Sequence, residues 1–170
     1  MMTTSVHIGS GAGFAGDRFD AAVPVVDTLI NHSGPRYLIY EVMGERTLAI
    51  AQKLKRQNPL AGYSPWLENY LPEVLKKCVD NQIRIVANFG NANPEAAAKR
   101  TLAIASDLGI VGLRVGVVLG DDLLEYTEAS TILNAVPIEG TVLGSDIQNL
   151  HAANAYIGAR PVADLSLIHI

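Results

Sequence analysis

The chain has 170 residues, 49% hydrophobic and 18% charged, with a formal net charge of -4, which suits a globular domain of ordinary size. Its Lys and Arg residues are scattered and form no basic stripe, so nucleic acid is not an expected partner. One cysteine, Cys78, rules out an intrachain disulfide framework and a thiolate metal cluster, and the absence of a basic N-terminal region or of about 18 consecutive apolar residues leads us to expect a cytoplasmic chain with no membrane partner.

Residues 6–8 start a strand that runs into a glycine-rich turn. Gly11-Ala12-Gly13-Phe14-Ala15-Gly16 spells GxGxxG behind that strand, the pattern by which glycines let backbone approach a phosphate at a helix N-terminus. Asp17 follows the last glycine, where a bound pyrophosphate and a carboxylate would repel each other. Glu41, the candidate ribose acid, comes 30 residues after Gly11, later than the spacing of about 20 that the fingerprint calls for. A dinucleotide, another ligand and a bare strand–helix turn all stay open for this loop.

Residues 19–31 carry an apolar stripe at helical spacing, with Pro24 in the first turn and Asp20 or Ala21 near the cap. A second strand is predicted over 37–42 and lacks clean alternation, as expected of a strand covered on both faces. A helix follows to about Gln57, with Leu48, Ala51 and Leu54 inward. Ser64-Pro65 marks another helix start, and apolar spacing holds from Leu67 to Val79. Pro72 predicts a short helix, a kink and a second helix from 72 to about 81. A third strand is expected over 83–89. Asn93 then caps a helix with Pro94 at its first position, closed at Gly109. Residues 113–119 read as a fourth strand, and Asp121-Asp122 lead a helix to about Leu133. Residues 136–150 read as an irregular excursion. Pro161–Asp164 resembles a first helical turn, and 165–170 form an atypical tail with no cap.

Four βα repeats predict an α/β fold: a parallel sheet with flanking helices, a Rossmann-like three-layer arrangement that is incomplete. An open sheet and a partial barrel both satisfy this order. Ligands of such sheets sit outside the carboxyl ends of the strands. There this chain gathers its glycines, Asp17, Arg18, Glu41, Glu45, Arg46, Asn88, Asn91, Asn93, Asp121 and Asp122. Capping and turn chemistry accounts for many of these as readily as ligand binding does. Asp121 and Asp122 could cap a helix, act in acid–base catalysis or hold Mg²⁺.

The blocks IGSGAGFAGDRFDAA, YLIYEVMGERTLAIAQ, IRIVANFGNANPEAAAKR, VGVVLGDD and ANAYIGARPVAD resemble the N-terminal part of the acyclic terpene utilisation protein AtuA family. The resemblance extends over residues 1–164, and because family members are longer, the ending LSLIHI is expected to reflect truncation. It implies a place in the catabolism of citronellol- and geraniol-type compounds, beside enzymes that handle acyl-CoA thioesters. The expected function is a lyase or hydratase acting on acyclic terpenoid or branched-chain acids or their CoA thioesters. Asp17, Glu41 and Asp121 are the expected catalytic carboxylates. Gly11, Gly13, Gly16, Arg18, Arg46, Asn88, Asn91, Asn93 and Asn154 are the expected substrate-binding residues, with Mg²⁺ at Asp121 and Asp122 or no cofactor at all. A nucleotide- or dinucleotide-binding protein and a non-enzymatic subunit of a catabolic complex are the alternatives. A homo-oligomer would fit either role.

Overall fold

The computed structural model describes residues 5–128, 131–132, 134 and 150–167. It divides into two compact units, Met1–Val115 and Gly116–Ile170, each described by itself.

In the first unit the strands are β1 (His7–Ala12), β2 (Arg36–Tyr40) and β3 (Ile83–Ala87). They form one parallel sheet in the order β1-β2-β3. The α/β class and the parallel sheet with flanking helices are as expected. The 3₁₀ turn Phe19–Ala21 leads into α1 (Ala22–Ile30), followed after β2 by α2 (Glu45–Gln57) and α3 (Leu67–Asp80), and after β3 by α4 (Pro94–Asp107). Helix α1 packs on β1, α3 on β3, and α3 also meets α1 and α4.

Side chains from these elements make one core. Leu38 and Tyr40 from β2 and Ile83 from β3 meet Val26 and Leu29 of α1 and the stripe Leu67, Tyr70, Leu71, Val74, Leu75 and Cys78 of α3. Burying each large aliphatic or aromatic side chain stabilises the unit by about 1.5–3 kcal/mol against exposure. The expectation that β2 is covered on both faces is corrected here. Leu38 and Tyr40 are buried, whereas Ile39 between them is 39% exposed and Ile8 on β1 is 65% exposed.

Several local expectations also change. Helix α3 is continuous through Pro72 rather than broken there. A proline removes one backbone donor, and the six buried side chains of this helix hold it together across that loss. It begins at Leu67, because Ser64 and Trp66 form the preceding turn through Leu67 N–H donating to the Ser64 carbonyl at 3.2 Å. Leu54, expected inward, is 40% exposed. Among the described residues, 113–119 pair with no strand: an apolar run signals strand propensity, but a ladder needs a neighbour that local sequence does not specify. Pro94 and Asn93 behave as expected, the Asn93 side chain accepting from Ala96 N–H at 3.2 Å, and Gly109 closes α4 with φ +70°.

The second unit contains α5 (Leu123–Tyr126) and α6 (Arg160–Leu167). The helix expected to reach Leu133 stops at Tyr126, where Thr127 turns extended at φ -139°. Of the tail, residues 165–167 belong to α6 and 168–170 lie outside the described residues. The irregular excursion falls, but for its last residue, on 136–149, outside the described residues.

Candidate functional site

The three strand ends of the first unit meet through short bonds. Glu41 N–H donates to the Ala12 carbonyl at 3.1 Å and Asn88 N–H to the Tyr40 carbonyl at 3.4 Å. Asn88 then ties β3 to the chain leaving β2. Its Oδ1 accepts from Val42 N–H at 2.8 Å, while its Nδ2 donates to Glu41 Oε1 at 2.8 Å. Met43 N–H donates to the same oxygen at 3.0 Å. Two donors thus hold Oε1 and leave Oε2 without a hydrogen-bond partner among the described residues. Glu41 is an exposed carboxylate fixed in place by one edge.

The glycine loop is built differently from a phosphate cradle. A Cβ at Gly11 would lie 2.6 Å from the Tyr40 ring, so this glycine admits a buried aromatic. Gly16 has φ +102°, a conformation that L side chains rarely adopt. Gly13 has open space where a Cβ would go, and its N–H donates to Asp17 Oδ2 at 3.2 Å. Asp17 Oδ1 accepts from Arg18 N–H at 2.9 Å. The carboxylate therefore occupies two amides of its own loop, which carries its own anion where a nucleotide phosphate would be expected. Tyr70, on α3, fixes the loop from below by donating its hydroxyl to the Asp17 carbonyl at 2.7 Å. Burial, and then the Asp17 charge, raise the Tyr70 hydroxyl pKa, keeping it a donor.

Arg18 forks onto Asp20, with Nε to Oδ1 and a terminal nitrogen to Oδ2 both at 2.6 Å. That hydrogen bond raises the Arg18 pKa and lowers the Asp20 pKa. Its guanidinium is thus engaged by a near neighbour. Arg46, in the first turn of α2, is exposed and has no ion-pair partner among the described residues.

The asparagines separate by role. Asn93 spends both amide protons on the carbonyls of Pro59 and Ala61, each at 2.8 Å, and its oxygen on the α4 cap. It is a structural staple. Asn91 is buried at φ 45° with an Oδ1 that has no partner among the described residues, and its N–H closes a turn onto the Asn88 carbonyl at 3.3 Å. Of the three, Asn88 alone touches another candidate side chain.

Asp121, Asp122 and Asn154 lie in the second unit. Asn154 Nδ2 donates to Asp121 Oδ2 at 2.9 Å, Ala155 N–H donates to the Asp121 carbonyl at 2.8 Å, and Asp122 caps α5 through Leu124 N–H at 3.1 Å. Mg²⁺ takes six oxygens in near-octahedral geometry. Among the described residues no three His, Cys, Asp or Glu side chains gather to hold a metal, and Asp122 is committed to its cap. Asp121 and Asp122 therefore stand, among the described residues, without a third ligating side chain beside them.

Sequence reasoning missed the aromatic column beneath the loop. Trp66 and Phe19 rings lie 5.2 Å apart, Phe19 and Tyr70 5.6 Å, Tyr70 and Tyr40 5.3 Å, and Tyr40 and Phe89 5.0 Å. Helical spacing marks Tyr70 as core, but nothing local shows that its hydroxyl reaches Asp17. A cavity of about 440 Å³ between β1 and α1, lined by Val6, His7, Val25, Leu29 and His32 among others, lies at the other end of β1 from the loop.

A family model described as "Acyclic terpene utilisation family protein AtuA" matches residues 6–165. No curated protein and no solved structure matches the chain.

Proposed function

Given that this chain belongs to the acyclic terpene utilisation family AtuA, we propose that its first unit performs acid–base chemistry on branched acyclic carboxylic acids or their CoA thioesters, as a hydratase or lyase. The observation that carries this reading is Glu41, held through one oxygen by Asn88 and Met43 and open at the other. A carboxylate so oriented can take a proton from a water attacking the β-carbon of an α,β-unsaturated acyl group, with a proton then added at the α-carbon. The reverse sequence eliminates water. In this reading Asn88 positions Glu41, Arg46 is the cation available to a substrate carboxylate, and Asp17 shapes the loop rather than reacting.

The nucleotide alternative finds less support in this loop, since Asp17 already holds the amides of Gly13 and Arg18. The test is incubation of the protein with a 3-methyl-branched enoyl-CoA in ¹⁸O-labelled water, read by mass spectrometry. Incorporation should be lost by about 10²-fold or more in Glu41→Gln. Equal turnover in Glu41→Gln would remove Glu41 from the reaction. Absence of turnover with co-purification of a catabolic enzyme would favour a subunit role instead.

A further inference from the structure

Three large aromatic side chains are left partly in solvent at the same end of the sheet as Glu41. Phe14 is 59% exposed, Trp66 38% and Phe19 37%. The chain has only three Phe and one Trp, so two of its phenylalanines and its single tryptophan are spent here. Scattered apolar side chains on a surface need no explanation, but two aromatic rings packed together in solvent, Phe19 on Trp66, with a third aromatic, Phe14, exposed on the same loop as Phe19, do.

Phe19 and Trp66 are also held stiffly. Phe19 packs on Trp66 and, edge-on, on buried Tyr70. On one side the Tyr70 hydroxyl braces the Asp17 carbonyl at 2.7 Å, and on the other Arg18 and Asp20 are locked in their fork at 2.6 Å. Trp66 follows Ser64, whose N–H donates to the Phe89 carbonyl at 2.7 Å, next to Asn88. The column Trp66–Phe19–Tyr70–Tyr40–Phe89 therefore leads from solvent to the residues flanking Glu41 and Asn88.

We propose that Phe14, Phe19 and Trp66 form the subsite for the branched hydrocarbon chain of the substrate, with its acyl end toward Glu41. This rests on the substrate reading given above. Rigid aromatic faces gain contact with an apolar chain at little cost in side-chain freedom. The charges around Phe19 favour the chain over an anionic head, since Asp17 and Asp20 outnumber Arg18 and each is already bonded. An adenine ring could stack on the same faces, so the experiment separates the two.

Trp66 is the only tryptophan, so its emission reports the subsite directly. The protein is titrated with 3,7-dimethyloct-6-enoate, with AMP and with CoA, while calorimetry measures binding independently. We expect a saturable blue shift with the branched acid. Phe14→Ala, whose side chain is the most exposed of the three, should weaken that binding by about fivefold with an unchanged circular dichroism spectrum. Calorimetric binding of the acid with no change in Trp66 emission, and with Phe14→Ala equal to wild type, would place the chain elsewhere and leave the Glu41 reading standing. A Trp66 response to AMP but not to the acid would make the surface a purine shelf and overturn the proposal. No binding of the acid by either method overturns it together with the substrate reading.

Discussion

Gly11→Ala distinguishes a glycine kept for packing from one kept for a ligand. The added Cβ would meet Tyr40 Cε1 and Cζ at 2.6 Å and Ala22 Cβ at 3.1 Å. Below 3 Å something must move, yet the Tyr40 ring is 3% exposed and lies between Tyr70 and Phe89. Overpacking of this kind costs about 1–3 kcal/mol, and the enclosed ring puts Gly11→Ala near the upper end. Gly13 is the control, because nothing lies within 4 Å of its Cβ position and its φ is not positive. Gly13→Ala should stay within about 0.5 kcal/mol of wild type. Urea unfolding followed by circular dichroism reads the difference, and about 2 kcal/mol should appear as a midpoint lower by about 1 M. Shortening the obstructing ring in Gly11→Ala/Tyr40→Leu should make the two losses less than additive. Equal midpoints for Gly11→Ala and Gly13→Ala would refute the reasoning and return Gly11 to the ligand-binding glycines.

Tyr40→Phe should raise stability by about 1 kcal/mol, because the buried Tyr40 hydroxyl has no partner among the described residues and leaving such a group unsatisfied costs about 1–3 kcal/mol; thermal unfolding checks this, and a loss of stability would show that the hydroxyl is bonded. Cys78 is 1% exposed and burial pushes its thiol up to about 11, so Ellman's reagent should label it only at the rate of unfolding, and rapid labelling of native protein would contradict that burial. Glu68 is paired with Arg100 at 2.6 Å, and that hydrogen bond lowers its pKa from the ordinary 4.5. Its contribution is therefore complete above the ordinary value and lost as the pH falls through the depressed one. With both side chains partly exposed, Arg100→Gln should lower stability only slightly at pH 7 and progressively less in acid; a deficit that persists in strong acid would assign the loss to packing.

Much of the first unit was legible because its signals are local. The stripe from Leu67 to Cys78, the Asn93–Pro94 start and the Gly109 stop each follow from chemistry within one helix. The strand ends were legible as a polar edge, since the βα order alone fixes which end of the sheet collects loops. What escaped depends on distant partners. Residues 113–119 carry the composition of a strand but pair with none among the described residues, and the exposed side of β2 cannot be inferred from residues 37–42 alone. Arg18 could have met Asp17, Glu41 or Asp20, and only three-dimensional placement chooses Asp20. Asp17 was expected to repel phosphate, but its taking of the Gly13 amide depends on the fold of the loop.

The Asn88 side chain has a consequence for motion. Val42 N–H is bonded to that side chain rather than to a neighbouring strand, so its exchange with solvent deuterium is set by release of one amide group. Amides such as Leu38, inside the sheet, exchange only when strands part. The ratio of the two rates therefore reports how often the Glu41 clamp opens while the sheet stays closed. It is a clock for the candidate site that needs neither substrate nor turnover.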